Sequence, residues 1–168
     1  LNFIKFNQDG SVSHEPILMD GKTYKRLQNN LLMFYTGTTR SANTILAEQT
    51  KNITSEDKAK NLLKMCGLAI DMKAALENND ISSFGKILDE GWQLKKELAS
   101  GIANPAIDEA YETAMKNGAL GGKLLGAGGG GFLLFYCEEE KQDKLKKAIG
   151  LRELDFSFER DGTSVIYI

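Results

Sequence analysis

Apolar positions along the chain change their period several times, and each change marks an element. Leu1 to Phe6 and residues 11–18 flank Asn7-Gln8-Asp9-Gly10, and a turn-forming Asp-Gly between two such runs predicts a β-hairpin. Leu31-Leu32-Met33-Phe34-Tyr35 is a short continuous apolar run, the pattern of a strand covered on both faces. Beyond Ala42 the spacing turns helical, first around Ile45 and Leu46. Thr54-Ser55-Glu56-Asp57 resembles a capping box, opening a long helix whose core stripe is read as Leu62, Leu63, Cys66, Ala69, Ile70 and Leu76. Asp80 can cap a further helix with Ile81, Phe84, Leu88, Trp92 and Leu98 on one face. Asn104-Pro105 sets a good N-cap before a proline at the first helical position, and Gly118 stops that helix.

Two strands follow, one around Lys123-Leu124-Leu125 and one over Phe132-Leu133-Leu134-Phe135-Tyr136. Residues 138–150 then form an amphipathic helix with acids first and lysines last, as the helix dipole favours. Leu154 to Glu159 and Ser164 to Ile168, around Arg160-Asp161-Gly162, read as a final hairpin. From residue 31 the order is strand, helices, strand, strand, helix, strand. That order predicts an α+β fold, a ferredoxin-like split βαβ sandwich with extra helices in the first crossover. A boundary is expected near residue 20, with residues 21–168 as the domain proper and residues 1–20 belonging to a neighbouring unit. The chain starts directly in a strand, with Leu1, and reads as cut from a longer one.

Composition narrows the classes. A net charge of −2 and a pI near 5.5 argue against nucleic-acid binding. No apolar run approaches a membrane span, and the first residues lack the parts of a signal peptide. The two cysteines, Cys66 and Cys137, and the one histidine, His14, show no metal-ligand spacing, so no metal site is expected. Both cysteines are read as buried thiols of a reducing compartment, hence a cytoplasmic protein, and His14 as a surface residue.

The candidate chemistry lies in two stretches. Residues 121–131 read GGKLLGAGGGG, eight of eleven positions being glycine or alanine. Gly126, Gly128 and Gly131 fit G-x-G-x-x-G formally, but a strand follows where a dinucleotide fingerprint needs a helix. No Walker A loop is present either. Either the loop is merely a sharply bent hairpin, or something approaches its backbone closely: a phosphate in a nest of N–H groups, or another phosphate-binding loop. The second stretch is Thr38-Thr39-Arg40-Ser41 at a predicted helix N-terminus, where exposed amides favour an anion and a guanidinium can grip phosphate with two parallel bonds. The plainer alternative has a threonine capping the helix and Arg40 in solvent.

Gly122-Lys123-Leu124-Leu125-Gly126-Ala127-Gly128-Gly129-Gly130-Gly131-Phe132 resembles the third motif of the GHMP kinases. Phe34-Tyr35-Thr36-Gly37-Thr38-Thr39-Arg40-Ser41-Ala42 is similar to the strand-to-helix turn of that superfamily's sugar-phosphate branch, above all the bacterial heptose 7-phosphate kinases. The resemblance implies a GHMP kinase C-terminal domain over 21–168, with the opening hairpin as the tail of a missing N-terminal nucleotide-binding domain. It implies an intact enzyme that transfers the γ-phosphoryl of ATP, with Mg2+, to a sugar phosphate such as a heptose 7-phosphate. ATP, Mg2+ and the catalytic aspartate would be held mainly by the missing domain, leaving no catalytic residue here. Thr38, Thr39, Arg40 and Ser41 would bind the sugar phosphate. Gly126, Ala127, Gly128, Gly129, Gly130 and Gly131 would pack against the nucleotide loop and border its phosphates. Lys123 is read as a strand residue with a solvated head. A different class remains open: a non-catalytic ferredoxin-like module that binds a small anion or a partner protein.

Overall fold

The computed structural model describes residues 1–38, 42–159, 162 and 167. Its elements run β1 (Asn2–Phe6), β2 (Val12–Pro16), α1 (Gly21–Asn29), β3 (Leu31–Tyr35), α2 (Ala42–Asn52), α3 (Glu56–Glu77), α4 (Ile81–Lys96), α5 (Pro105–Lys116), β4 (Ala119–Leu124), β5 (Phe132–Cys137), α6 (Glu139–Ile149) and β6 (Arg152–Glu153). β1 and β2 pair with each other as a separate two-stranded sheet, in register from Asn2↔Pro16 to Phe6↔Val12. The main sheet has the order β4-β5-β3-β6 with every neighbour antiparallel. Taking those four strands in chain order, the first and third lie at the centre and the second and fourth at the edges. That is the split βαβ arrangement, with α2 to α5 filling the first crossover.

Local chemistry explains most of the boundaries. Asp20 accepts from the Thr23 amide at 2.6 Å and opens α1. Asp80 does the same for α4 through Ser83 (3.1 Å), and Asn104 for α5 through Ile107 (3.0 Å) with Pro105 behind it. Gly150, left-handed at φ 65°, ends α6.

Strand alternation feeds two apolar clusters. Phe34, Leu124, Leu133 and Phe135 join Trp92, Ile102, Ile107, Tyr111 and Leu145 in the larger one. Leu31 and Tyr136, with Leu134 packed alongside, join Leu27, Leu76 and Ile81 in the other. α4 serves both, since Ile81 belongs to the second cluster and Trp92 to the first. It does so by lying very close to the edge strand β4. A Cβ at Gly121 would overlap the Gly85 carbonyl oxygen, and one at Gly85 would sit 2.8 Å from the Tyr136 ring. Tyr111 fixes the same strand from α5: its hydroxyl accepts from the Gly122 amide (3.1 Å) and donates to Asp89 Oδ1 (2.7 Å). Burial, then the bond to Asp89, raises the Tyr111 phenol far above its ordinary value.

Several expectations need correction. Cys137 is buried and its thiol is pushed up to about 11 by burial, but Cys66 is exposed. The stripe read on α3 is largely turned outward: Leu63 is 72% and Ile70 59% exposed, while Leu76 is buried and Leu62, Met65 and Met72 pack inward. Residues 154–159 form no strand, so the first arm of the final hairpin is absent, and most of its second arm lies outside the described residues. α1 had no counterpart in the sequence reading. His14 is exposed, as expected.

The glycine contacts generate a signed prediction. Gly121→Ala should destabilise the fold by about 1–3 kcal/mol, because its methyl group overlaps backbone rather than a flexible side chain. Gly67→Ala, inside α3 with nothing within 4 Å, should instead stabilise by about 0.5–1 kcal/mol. Urea midpoints of the two variants check both signs.

Candidate functional site

β3, β4 and β5 end or begin at one edge of the sheet, because Tyr35 pairs with Phe132 and Leu124 with Leu133. The turn after β3 and the glycine loop between β4 and β5 therefore share that edge. Antiparallel pairing continues one step beyond β4, where the Leu125 amide donates to the Phe132 carbonyl at 2.8 Å. Residues 126–131 are left as the loop itself.

Two anchors hold it. The Gly129 amide donates to the Ile102 carbonyl (2.9 Å), in the segment between α4 and α5. The Gly131 amide donates to the Thr38 carbonyl (2.8 Å), and the Thr36 amide returns a bond to the Gly131 carbonyl (2.9 Å). The Thr36 hydroxyl lies 3.0 Å from both the amide and the carbonyl oxygen of Gly131. Side chains are excluded at these anchors for a direct reason. A Cβ at Gly128 would come within 2.7 Å of the Ile102 Cα, and one at Gly130 within 2.6 Å of the Thr38 carbonyl oxygen. Gly126 has open space around it and needs glycine only for its φ of +81°.

The two stretches singled out in the sequence are thus in contact, through Thr38 and Gly130–Gly131. Thr39, Arg40 and Ser41 lie outside the described residues. The remaining loop amides are free: those of Gly126, Ala127, Gly128 and Gly130 have no acceptor among the described residues. Among those residues no group of three or more His, Cys, Asp or Glu could hold a metal ion, and no helix is long and apolar enough to cross a membrane.

One residue escaped the sequence reading. Lys95, in the last turn of α4, donates from Nζ to the Gly126 carbonyl at 2.5 Å. Burial, and then the charge of Lys123, bring its ammonium from the ordinary 10.5 down to about 8. Burial also lowers Lys123, so its head is not the well-solvated one expected for a strand lysine. The signal available was the position of Lys95 one turn beyond the face carrying Leu88 and Trp92, but its target, a loop 31 residues on, is invisible to spacing.

With this geometry in place, known proteins give the family. Residues 72–153 match the family model described as GHMP kinases C terminal. The chain belongs to that family of kinase domains. It is 29% identical over 164 residues to a D-glycero-alpha-D-manno-heptose 7-phosphate kinase of Campylobacter jejuni, covering 96% of this chain and 48% of that protein. It is 35% identical over 119 residues to the L-fucokinase/L-fucose-1-P guanylyltransferase of Bacteroides fragilis, covering 70% of this chain and 12% of that protein. A crystal structure of a Campylobacter jejuni protein described as a sugar kinase superposes with a TM-score of 0.68 at 29% identity, over 96% of this chain and 46% of that one. The chain thus spans about half the length of the first of these relatives.

The lowered lysines predict a pH dependence. Between about pH 8 and 10.5 the unfolded chain holds a proton on Lys95 that the folded chain has shed, so folding stability should rise with pH across that window. Lys123 acts in the same sense. Relative to Lys95→Met, which has no such proton, the wild type should gain stability from pH 8 to pH 10. Denaturation curves that run parallel for the two proteins would show that Lys95 is not desolvated.

Proposed function

We propose that this chain is the substrate-side half of an ATP-dependent sugar-phosphate kinase and that a heptose 7-phosphate is its substrate. The carrying observation is the contact between the glycine loop and the turn after β3, with Gly131 bonded to the Thr38 carbonyl. That contact sets Thr38, four residues before α2, beside a loop whose amides at Gly126, Ala127, Gly128 and Gly130 have no acceptor among the described residues. Phosphoryl transfer asks mainly for positioning and charge neutralisation, and free backbone donors supply the latter at no cost in reorganisation. The kinase names and lengths of the relatives support the reading.

In the reaction the bond between the γ-phosphorus and its bridging oxygen breaks, ADP leaves, and a new bond forms to a sugar hydroxyl. A base in the nucleotide-binding half takes the hydroxyl proton, and that half would hold the main part of the ATP and Mg2+ site. Residues 1–20 would be the end of that half and residues 21–168 the domain described here. Thr38, Thr39, Arg40 and Ser41 hold the phosphate already on the sugar. Gly126, Ala127, Gly128, Gly129, Gly130 and Gly131 border the transferred group. This chain alone then turns nothing over, because the base and the nucleotide loop stand elsewhere.

Arg40 is the discriminating position. In the enzyme with both halves, Arg40→Ala should raise the KM for heptose 7-phosphate by roughly 10- to 150-fold and leave that for ATP nearly unchanged. Gly129→Val puts a branched side chain at a φ of +78° and should mainly lower kcat. If Arg40→Ala left both Michaelis constants within about twofold of wild type, Arg40 would be a solvent residue beside a capped helix.

A further inference from the structure

Lys95, in the last turn of α4, puts its ammonium on the glycine loop, and Lys123 stands near the end of β4, three residues before that loop begins at Gly126. Both are half-buried, and the charge of Lys123 acts on Lys95. Neither has a carboxylate partner among the described residues. The contrast with the adjacent Lys96 is plain: its ammonium lies 3.2 Å from Asp108 and 5.9 Å from the Trp92 ring centroid. Among the described residues Lys95 has only the Gly126 carbonyl.

Two like charges, poorly hydrated and close together, raise the free energy of a fold unless a counter-anion is present for part of its life. Lys95 also keeps donors in reserve, since an ammonium has three N–H bonds and Gly126 takes one. The loop it touches adds the unbonded amides of Gly126, Ala127, Gly128 and Gly130. Every one of these groups donates and none accepts. The complementary ligand carries several acceptor oxygens and more than one negative charge, and a polyphosphate chain offers one charged group to each lysine.

We propose that Lys95 and Lys123 form a two-cation clamp for the polyphosphate of the nucleotide, working with the free amides of the glycine loop. The proposal deepens the kinase reading and rests on it for the nucleotide, while the lysines and amides by themselves require only a phosphoryl anion. Lys95 acts twice, holding the Gly126 carbonyl and turning its remaining N–H bonds to phosphoryl oxygens. Lys123 supplies the second charge. This chain therefore contributes cationic groups to the nucleotide site and not only a shape that packs against it.

The test is a titration of the chain with inorganic pyrophosphate at pH 7, followed by NMR shifts of the loop glycines and by calorimetry. Saturable binding is expected at millimolar concentration or below. Lys95→Met and Lys123→Met should each weaken it by about tenfold or more, and Lys95→Arg should recover part of the loss. Lys144→Met, which removes an exposed charge from α6, should leave binding within about twofold of wild type. Orthophosphate should bind at least about tenfold more weakly than pyrophosphate. Circular dichroism checks folding, and Lys95→Gln and Lys123→Gln carry the same comparison if a methionine variant unfolds. No saturable shift, or pyrophosphate affinity unchanged in the lysine variants, overturns the clamp. Equal affinity for orthophosphate also overturns it and reassigns the lysines to a single phosphate such as that of the sugar. Failure of the intact enzyme to phosphorylate any sugar phosphate would remove the kinase reading while leaving lysine-dependent pyrophosphate binding in place, so the two failures are distinguishable.

Discussion

Backbone meeting backbone without side chains between them is the constraint on which the rest of this domain depends. α4 lies against β4 where Gly121 faces the Gly85 carbonyl, and that contact sets the depth at which the helix sits on the sheet edge. The depth allows Ile81 and Trp92, on one helix, to enter different apolar clusters. It also brings the end of α4 level with the glycine loop, so that Lys95 can reach Gly126. A larger residue at position 121 would lift the helix and carry the lysine away with it. Core packing and site geometry are consequently one problem here.

The electrostatics follow from that packing. Several ion pairs among the described residues span a single helical turn, and two of these, Lys60–Glu56 and Lys116–Glu112, are exposed on both sides. Such pairs contribute little individually. The charges with consequence are those left without partners and half out of water, Lys95 and Lys123. Their cost is carried by a scaffold secured elsewhere, through the buried aromatic cluster around Trp92, Tyr111 and Phe135 and the Tyr111 bonds to β4. Stability and a poised cationic site are thus separated in space.

Elements that depend on local chemistry were legible in the sequence. The Asp-Gly hairpin, the caps Asp80 and Asn104, the apolar strands and their order all follow from neighbouring residues, and the split βαβ architecture follows from that order. Elements set by distant contacts were not. On α3 the stripe was traced through Leu62, Leu63, Cys66, Ala69, Ile70 and Leu76, of which Leu62 and Leu76 do pack inward, but the positions between them that do so are Met65 and Met72. Both stripes have helical spacing, and only the position of α4 decides between them. The methionines were the available clue, since they keep period with Leu62 and Leu76 while Lys64 and Lys73 flank them. α1 was obscured by its polar composition, as only Thr23 and Leu27 are buried in it. The final hairpin failed at 154–159 because Phe156 and Phe158 pack on the second cluster instead of pairing in a sheet. Motif and turn chemistry singled out the loop and Thr38, which the fold brings into contact. Lys95 was not singled out, because its contact with Gly126 exists only through the fold.

The glycines themselves separate what the chain needs internally from what it offers outward. Composition alone made every glycine in 126–131 equally open to an outside neighbour, whether phosphate or a second loop. Gly128 and Gly130 are accounted for within the domain, by the backbones at Ile102 and Thr38, and the amides of Gly129 and Gly131 are bonded there as well. An external neighbour is not required to explain them. What the interior leaves unexplained is the exposed Gly126, its adjoining Ala127, and the amides that find no acceptor. Those groups adjoin the one loop carbonyl that Lys95 holds. The motif is thus fastened to Ile102 and to the turn after β3 through Gly129 and Gly131, and it leaves the amides of Gly126, Ala127, Gly128 and Gly130 without an acceptor among the described residues. A ligand held by those amides therefore lies beside that turn.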